Sequence, residues 1–295
     1  MFVATLITNP TEPVLTTANV LPYHKELDGG EFRWLQEGVA CEFPIAARPF
    51  REGKLWQQLQ DRGIDLVIQK DAGRRKKMLL ADMDSTMIQQ ECIDELAAEA
   101  GVGERVAAIT ARAMNGELNF ESALAERVGL LAGLPEAVID TVLETRITAM
   151  PGGPDLLATM KASGAWCALV SGGFTVFTEA VARGLGFDEN RANTLEIVDG
   201  KLTGRVLPPI LGREAKVQAL HEITAARGLV PDDVIAVGDG ANDLGMLGLA
   251  GAGVALHAKP SVAAACDIRI NYGDLTALLF VQGYARDEFV APSAW

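Results

Sequence analysis

Four aspartates stand where two short apolar runs end. Asp82-Met83-Asp84-Ser85-Thr86 follows Met78–Ala81, and Gly238-Asp239-Gly240-Ala241-Asn242-Asp243 follows Val234–Val237. Either motif alone is most often a turn or a helix cap. Together they read differently. If both apolar runs are strands of one parallel sheet, their carboxyl ends open onto a single crevice. Asp82, Asp84, Asp239 and Asp243 then converge. Carboxylates a few ångströms apart repel, and some must stay protonated unless a cation neutralises them. Oxygen ligands without His or Cys favour Mg²⁺.

A third apolar run, Trp166–Val170, ends in Ser171-Gly172-Gly173. A hydroxyl and glycine N–H groups ahead of a helix suit a phosphate, against the plainer reading of Ser171 as a helix cap. Lys216, on a helix expected from Glu214, is the best remaining cation, with Arg213 as a competitor for the role. The chemistry that follows is phosphoryl transfer. A cation and a lysine neutralise the phosphoryl oxygens, and Asp82 attacks phosphorus to form an acyl phosphate. Asp84 protonates the leaving alkoxide and later takes a proton from water. Positioning and charge stabilisation carry most of the acceleration.

The elements that must position these groups alternate strand and helix from Met78 onward. Strands are expected at Met78–Ala81, Trp166–Val170, Val234–Val237, Gly253–Leu256 and Ile268–Ile270. Helices are expected at Thr178–Gly184, Glu214–Arg227 and Asn242–Ala250, and a hairpin at Glu196–Val206 turns on Asp199-Gly200. Short, fully apolar strands between helices imply a doubly wound parallel α/β sheet covered on both faces. Residues 88–150 read as entirely helical and interrupt the alternation, so they form a cap inserted in a core of residues 74–87 and 151–295. Residues 1–73 read as a small N-terminal α+β domain. It has strands at Phe2–Thr8 and Asp65–Gln69, a helix at Lys54–Asp61, and a middle crowded with Pro and Gly. The basic run Arg74-Arg75-Lys76-Lys77 reads as a solvated linker.

Composition narrows the function classes. The chain of 295 residues is 49% hydrophobic with a net charge of -13, a surface that repels nucleic acid and anionic membranes. A phosphate site in such a protein needs local cations. The longest apolar stretches fall far short of a membrane span, and the first ten residues lack the basic start of a secretory leader. Cys41, Cys92, Cys167 and Cys266 form no CxxC motif, which fits a reducing cytoplasm.

In the order DMDST, VSGG, Lys216 and GDGAND, the chain resembles the haloacid dehalogenase-like phosphatases, whose core is Rossmann-type. Within them it is similar to the phosphoserine phosphatase family. The similar segments are DMDSTMIQQE, Met114 to Phe120 (MNGELNF), Arg127 to Leu131 (RVGLL) and Val170 to Phe174 (VSGGF). The resemblance implies that Asp82, Asp239 and the Met83 main-chain carbonyl hold Mg²⁺ and that Asp243 supports its water shell. How the main chain of this motif and Asp84 share in the metal site stays open. It further implies that Glu91, Met114, Phe120 and Arg127 shape the substrate pocket, with Ser171, Gly172, Gly173, Lys216 and Asn242 contacting the substrate.

The residues agree with that implication. Phe120, Leu124, Arg127 and Leu131 fall on one helical stripe, which sets Arg127 amid an apolar face. A snorkelling arginine is the plain account; one aimed at a bound carboxylate is the sharper one. Glu91 suits an ammonium group. Phosphoserine carries all three charges. The resemblance therefore implies hydrolysis of O-phosphoserine to serine, the last step of serine biosynthesis. A phosphotransferase, a phosphatase for another small phosphomonoester and a non-enzymatic regulatory protein are the alternatives. Many such proteins carry ACT-type regulatory domains at this place; an ACT-like domain is one reading of residues 1–73, and dimerisation, with the chain as a homodimer, or a structural role is as suitable as amino-acid sensing.

Overall fold

The computed structural model describes residues 1–114 and 117–292, without the Met114 side chain. The N-terminal unit runs β1 (Phe2–Thr8), α1 (Thr17–Glu26), β2 (Arg33–Gln36), β3 (Ala40–Ile45), α2 (Glu52–Gln60) and β4 (Ile64–Lys70). Its four strands form an antiparallel sheet in the order β2-β3-β1-β4. This is an interleaved pair of βαβ units, the split-βαβ arrangement, where the sequence hinted at one such unit.

Prolines hid the missing elements. Helix α1 contains Pro22, yet Thr16 and Asn19 cap its start reciprocally and Val20 and Tyr23 are buried beneath it. Pro44 lies in β3 opposite Val3 of β1. Strand β2 reaches only Arg33, opposite Glu42, so Pro44 is flanked by a strand on one side alone.

The second unit begins with β5 (Met78–Ala81), followed by α3 (Cys92–Glu99), α4 (Gly103–Met114), α5 (Phe120–Gly129) and α6 (Ala137–Thr145). Then come α7 (Gly153–Ala162), β6 (Trp166–Phe174), α8 (Thr175–Leu185), β7 (Glu189–Val198), β8 (Lys201–Leu207) and α9 (Arg213–Arg227). It ends with β9 (Val234–Gly238), α10 (Leu244–Leu249), β10 (Ala252–Leu256), α11 (Pro260–Ala265), β11 (Ile268–Ile270) and α12 (Ala277–Val281). The sheet order is β11-β10-β9-β5-β6-β7-β8, parallel except for the β7–β8 hairpin. Asp199 and Gly200 turn that hairpin at φ 51° and 69°, the left-handed pair of a type I′ turn.

The central strands β5 and β9 are buried along their whole length, as a sheet covered on both faces requires. The catalytic candidates sit at their carboxyl ends. Helices α3–α6 stand above that edge. The two chain crossings beneath them lie side by side. Ile88 bridges Ala149, the Met150 N–H donates to the Met87 carbonyl, and Gln89 donates to the Thr148 carbonyl. This short ribbon is a narrow neck between the helices and the sheet.

The N-terminal sheet packs its own helices on one face and the second unit on the other. Ile7 and Val67 join the main core, while Leu6, Leu66 and Ile68 face α1 and α2. Asp65 pins the contact. It is fully buried and accepts the N–H groups of Asn271, Tyr272 and Gly273, each at 2.9 Å. Among the described residues no helix is long and apolar enough to cross a membrane.

Candidate active site

Asp82 prolongs β5 past its last residue: its N–H donates to the Val237 carbonyl at 3.0 Å. Its Oδ1 accepts the Met83 N–H at 2.8 Å and lies 2.6 Å from Lys216 Nζ. Lys216 also reaches Asp243 Oδ1 at 2.5 Å, and Asp243 Oδ2 accepts the Gly240 N–H at 2.9 Å. Lys216 and Asp243 are 1% and 0% exposed. Burial pulls the lysine's pKa down, but the two carboxylates outweigh it and hold the ammonium up at about 12. Burial raises the Asp82 carboxyl well above its usual range despite the lysine, with Asp243 and Asp84 adding to the rise. Arg213, the competing cation, is exposed at the start of α9.

Asp82, Asp239 and Asp243 bring one carboxylate oxygen each within 4.8 Å of one another. The acidic side chains of two strand tips therefore meet. Burial first, then Asp243, raises the Asp239 carboxyl to about 6. One lysine does not neutralise this set, and an all-oxygen cluster fits a hard divalent cation.

The Met83 carbonyl is a different matter. The resemblance made it a ligand, but it accepts the N–H groups of Thr86, Met87 and Ile88 at 2.9–3.2 Å and is committed to the turn. Nor does Asp84 join the acidic cluster. Its Oδ1 accepts the Cys92 N–H at 2.9 Å and its Oδ2 the Ser171 hydroxyl at 3.2 Å. Burial raises its pKa, the direction that lets a carboxyl carry a proton.

Strand β6 does not stop at Val170 but continues to Phe174 with a register shift, so Ser171-Gly172-Gly173 bulges rather than forming a helix start. The Gly173 N–H donates to Ser171 Oγ at 2.8 Å. A Cβ on Gly173 would stand 2.8 Å from Asp84 Oδ2, which is why only glycine lets the strand pass so close to that carboxylate. Helix α10 starts at Leu244, not Asn242. Asn242 lies half-buried in the turn before it, and the Asp243 side chain, turned toward Lys216, caps no helix N–H.

The helical cap brings three further candidates to the crevice mouth. The Phe120 ring lies over Gly172 and Gly212, where added Cβ atoms would meet it at 3.4 and 3.3 Å. Glu91 accepts the Ser85 hydroxyl at 2.7 Å. Ser85 takes a left-handed φ of 53° to offer it. Desolvation, then the nearby Asp84 charge, raises the Glu91 carboxyl to about 7. Arg127 is half-buried, its Nε donating to the Ala123 carbonyl at 3.2 Å. Burial lowers its pKa while Asp94, Glu91 and Asp84 oppose the fall. Leu124 and Leu131 of its stripe are buried. The Met114 side chain, with Asn115 and Gly116, lies outside the described residues.

Two neighbours were given no role by the sequence: Thr86, although it closes the DMDST motif, and Asn193, which lies in no motif. Thr86 is fully buried with its hydroxyl 3.4 Å from Asp239 Oδ1. Asn193 is fully buried on β7.

The comparisons agree with this geometry. The phosphoserine phosphatase of Mycobacterium tuberculosis is 45% identical over 223 residues, 76% of this chain and 54% of that protein. The chain thus matches about half the length of that relative. A haloacid dehalogenase-family hydrolase structure from Salmonella enterica serovar Typhi covers 98% of this chain and 100% of its own at 32% identity, with a TM-score of 0.84. A substrate-bound phosphoserine phosphatase structure is 42% identical, covering 70% of this chain and 97% of its own with a TM-score of 0.65. Residues 79–248 match the family described as haloacid dehalogenase-like hydrolase. With carboxylates from two strand ends gathered around one buried lysine on a doubly wound sheet, this chain belongs to the haloacid dehalogenase-like hydrolases.

Proposed function

We propose that this chain is a magnesium-dependent phosphatase that hydrolyses O-phosphoserine to serine and phosphate through an aspartyl-phosphate on Asp82. One observation carries the reading. A carboxylate paired with a buried lysine lies beneath a cap that presents Glu91 and Arg127, side chains of opposite sign. A substrate with an ester phosphate, an ammonium and a carboxylate meets all three. Relatives named phosphoserine phosphatase support the choice.

Asp82 attacks phosphorus in line with the seryl oxygen, and the P–O bond to serine breaks as the acyl phosphate forms. Asp84, raised by burial, gives its proton to the departing oxygen. Water then attacks the acyl phosphate, Asp84 takes its proton back, and Asp82 is freed with inorganic phosphate. Lys216, the Ser171 hydroxyl and the Gly172 N–H would face the phosphoryl oxygens and offset their charge, while the Gly173 N–H holds Ser171 Oγ. Asp82, Asp239 and Asp243 would hold Mg²⁺, which when bound supplies positive charge to those oxygens. Asn242 lies beside this set. The all-antiparallel N-terminal sheet with two helices supports an ACT-like reading of residues 1–73. Four free, buried thiols support a cytoplasmic setting.

The test is phosphate release from L-phosphoserine against a panel of sugar and alcohol phosphates, with and without Mg²⁺ and with an added acceptor alcohol. Phosphoserine should stand well above the panel and require Mg²⁺, and Asp82→Asn should be inert while folded. Equal turnover of sugar phosphates would remove the substrate assignment, and an active Asp82→Asn would remove the covalent route.

A further inference from the structure

Between strands β6 and β7 the ladder breaks at one place. Val170 pairs with Arg191, and the next pair is Phe174 with Asn193. Ser171, Gly172 and Gly173 on β6 therefore face only Ala192 on β7. Such a bulge releases main-chain groups from the ladder and re-aims them, and two adjacent glycines make the released peptide easy to turn over.

The Asn193 side chain takes the place of the lost ladder. It is 0% exposed. Its Nδ2 donates to the Gly172 carbonyl at 2.9 Å and to the Leu211 carbonyl at 3.1 Å, and its Oδ1 accepts the Leu211 N–H at 2.7 Å. Two carbonyls need the NH₂ group and one N–H needs the oxygen, so the amide has one workable orientation.

The consequence follows from the planarity of the peptide bond. In a trans peptide the carbonyl and the following N–H point in opposite directions. Holding the Gly172 carbonyl on Asn193 therefore directs the Gly173 N–H to the other side, where it meets Ser171 Oγ, whose hydroxyl donates to Asp84. Turned over, the same peptide would present a carbonyl oxygen to the anion side and leave Ser171 Oγ without the N–H that orients it. The Leu211 half of the clamp ties the same point to the chain entering α9, the helix that carries Lys216.

The geometry points to Asn193 as a positioning residue that locks the Gly172–Gly173 peptide with its N–H on Ser171 Oγ, so that this hydroxyl is held beside Asp84 at the phosphate side, and fixes the Ser171 loop against the start of the Lys216 helix. The inference rests on the reading of this crevice as a phosphoryl-transfer site, but not on which ester enters it.

The experiment uses the full chain with Mg²⁺ and reads the Kd of inorganic phosphate by calorimetry beside kcat and KM. Asn193→Asp keeps the acceptor for Leu211 and nearly the same shape but offers Gly172 no donor; Asn193→Ala removes the clamp. Both should weaken phosphate binding and lower kcat/KM by about tenfold or more, as loss of an aimed donor does. Leu195→Ala, buried on the same strand, should lower Tm and leave the phosphate Kd unchanged. If Asn193→Ala does not fold, Asn193→Asp decides. Wild-type phosphate affinity in Asn193→Asp would overturn the proposal. So would an equal weakening in Leu195→Ala, or a wild-type chain that binds no phosphate. If the wild type binds phosphate but ignores phosphoserine, the substrate reading falls while the Kd comparison still decides Asn193.

Discussion

Lys216 Nζ lies 2.5 Å from Asp243 Oδ1, and neither side chain reaches solvent. The same ammonium holds Asp82 at 2.6 Å. One cation thus joins helix α9 to both strand tips. Removing one partner of a buried ion pair leaves the other charge stranded, which costs about 3–5 kcal/mol. Lys216→Met should destabilise the metal-free chain by about that much, read by urea unfolding, and Mg²⁺ should return part of the loss by offsetting the stranded carboxylates. Turnover should vanish in both conditions. Wild-type stability without metal would show that the pair contributes nothing net.

Glu91 sets a pH dependence. Its carboxyl is raised to about 7, so below that pH it is largely neutral and a poor partner for an ammonium. The KM for phosphoserine should fall as pH rises through 7, and a phosphate ester lacking an amine should show no such change. The sign for folding is opposite. A carboxyl raised in the folded state contributes stability that is present below its ordinary value and lost as pH rises through 7. Glu91→Gln should flatten the KM profile, and an unflattened profile would assign the titration elsewhere.

Gly173 and Gly172 separate two constraints. A Cβ on Gly173 meets Asp84 Oδ2 at 2.8 Å and Ser171 Oγ at 3.0 Å, whereas one on Gly172 makes ordinary contact with Phe120 at 3.4 Å. Overpacking of the first kind costs about 1–3 kcal/mol. Gly173→Ala should therefore lower kcat about tenfold or more by displacing the proton donor, and Gly172→Ala should act mainly on KM. Steady-state kinetics on the two variants distinguish the effects; the reverse pattern would place the proton donor elsewhere.

Asp65 fastens the two units. Asp65→Ala strips three buried N–H groups at Asn271, Tyr272 and Gly273 of their acceptor, and each unsatisfied group costs about 1–3 kcal/mol. Hydrogen exchange should show these amides and β4 losing protection ahead of β5 and β9. Uniform loss across the chain would mean that the two units unfold as one.

Much of the site was legible because its parts are local. An apolar strand followed at once by a polar residue is a contiguous pattern, and a parallel sheet sends every such end to one edge, so Asp82, Asp239 and Ser171 were placed together without coordinates; Lys216, on a helix, was only the best remaining cation until the fold set it between Asp82 and Asp243. The cap stripe through Leu124 and Leu131 was legible for the same reason, a helical period in adjacent residues.

What the chain alone left undecided depends on partners distant in sequence. The stretch crowded with Pro and Gly in residues 1–73 showed no elements until a capping box made room for Pro22 in α1 and a missing neighbouring strand made room for Pro44 in β3. The Met83 carbonyl read as a ligand until three turn N–H groups claimed it. Asn193 carries no motif at all, because a buried amide acquires its role from the carbonyls it happens to face. Local propensity and pattern place elements and strand ends; only the closed fold decides which backbone groups remain free to bind.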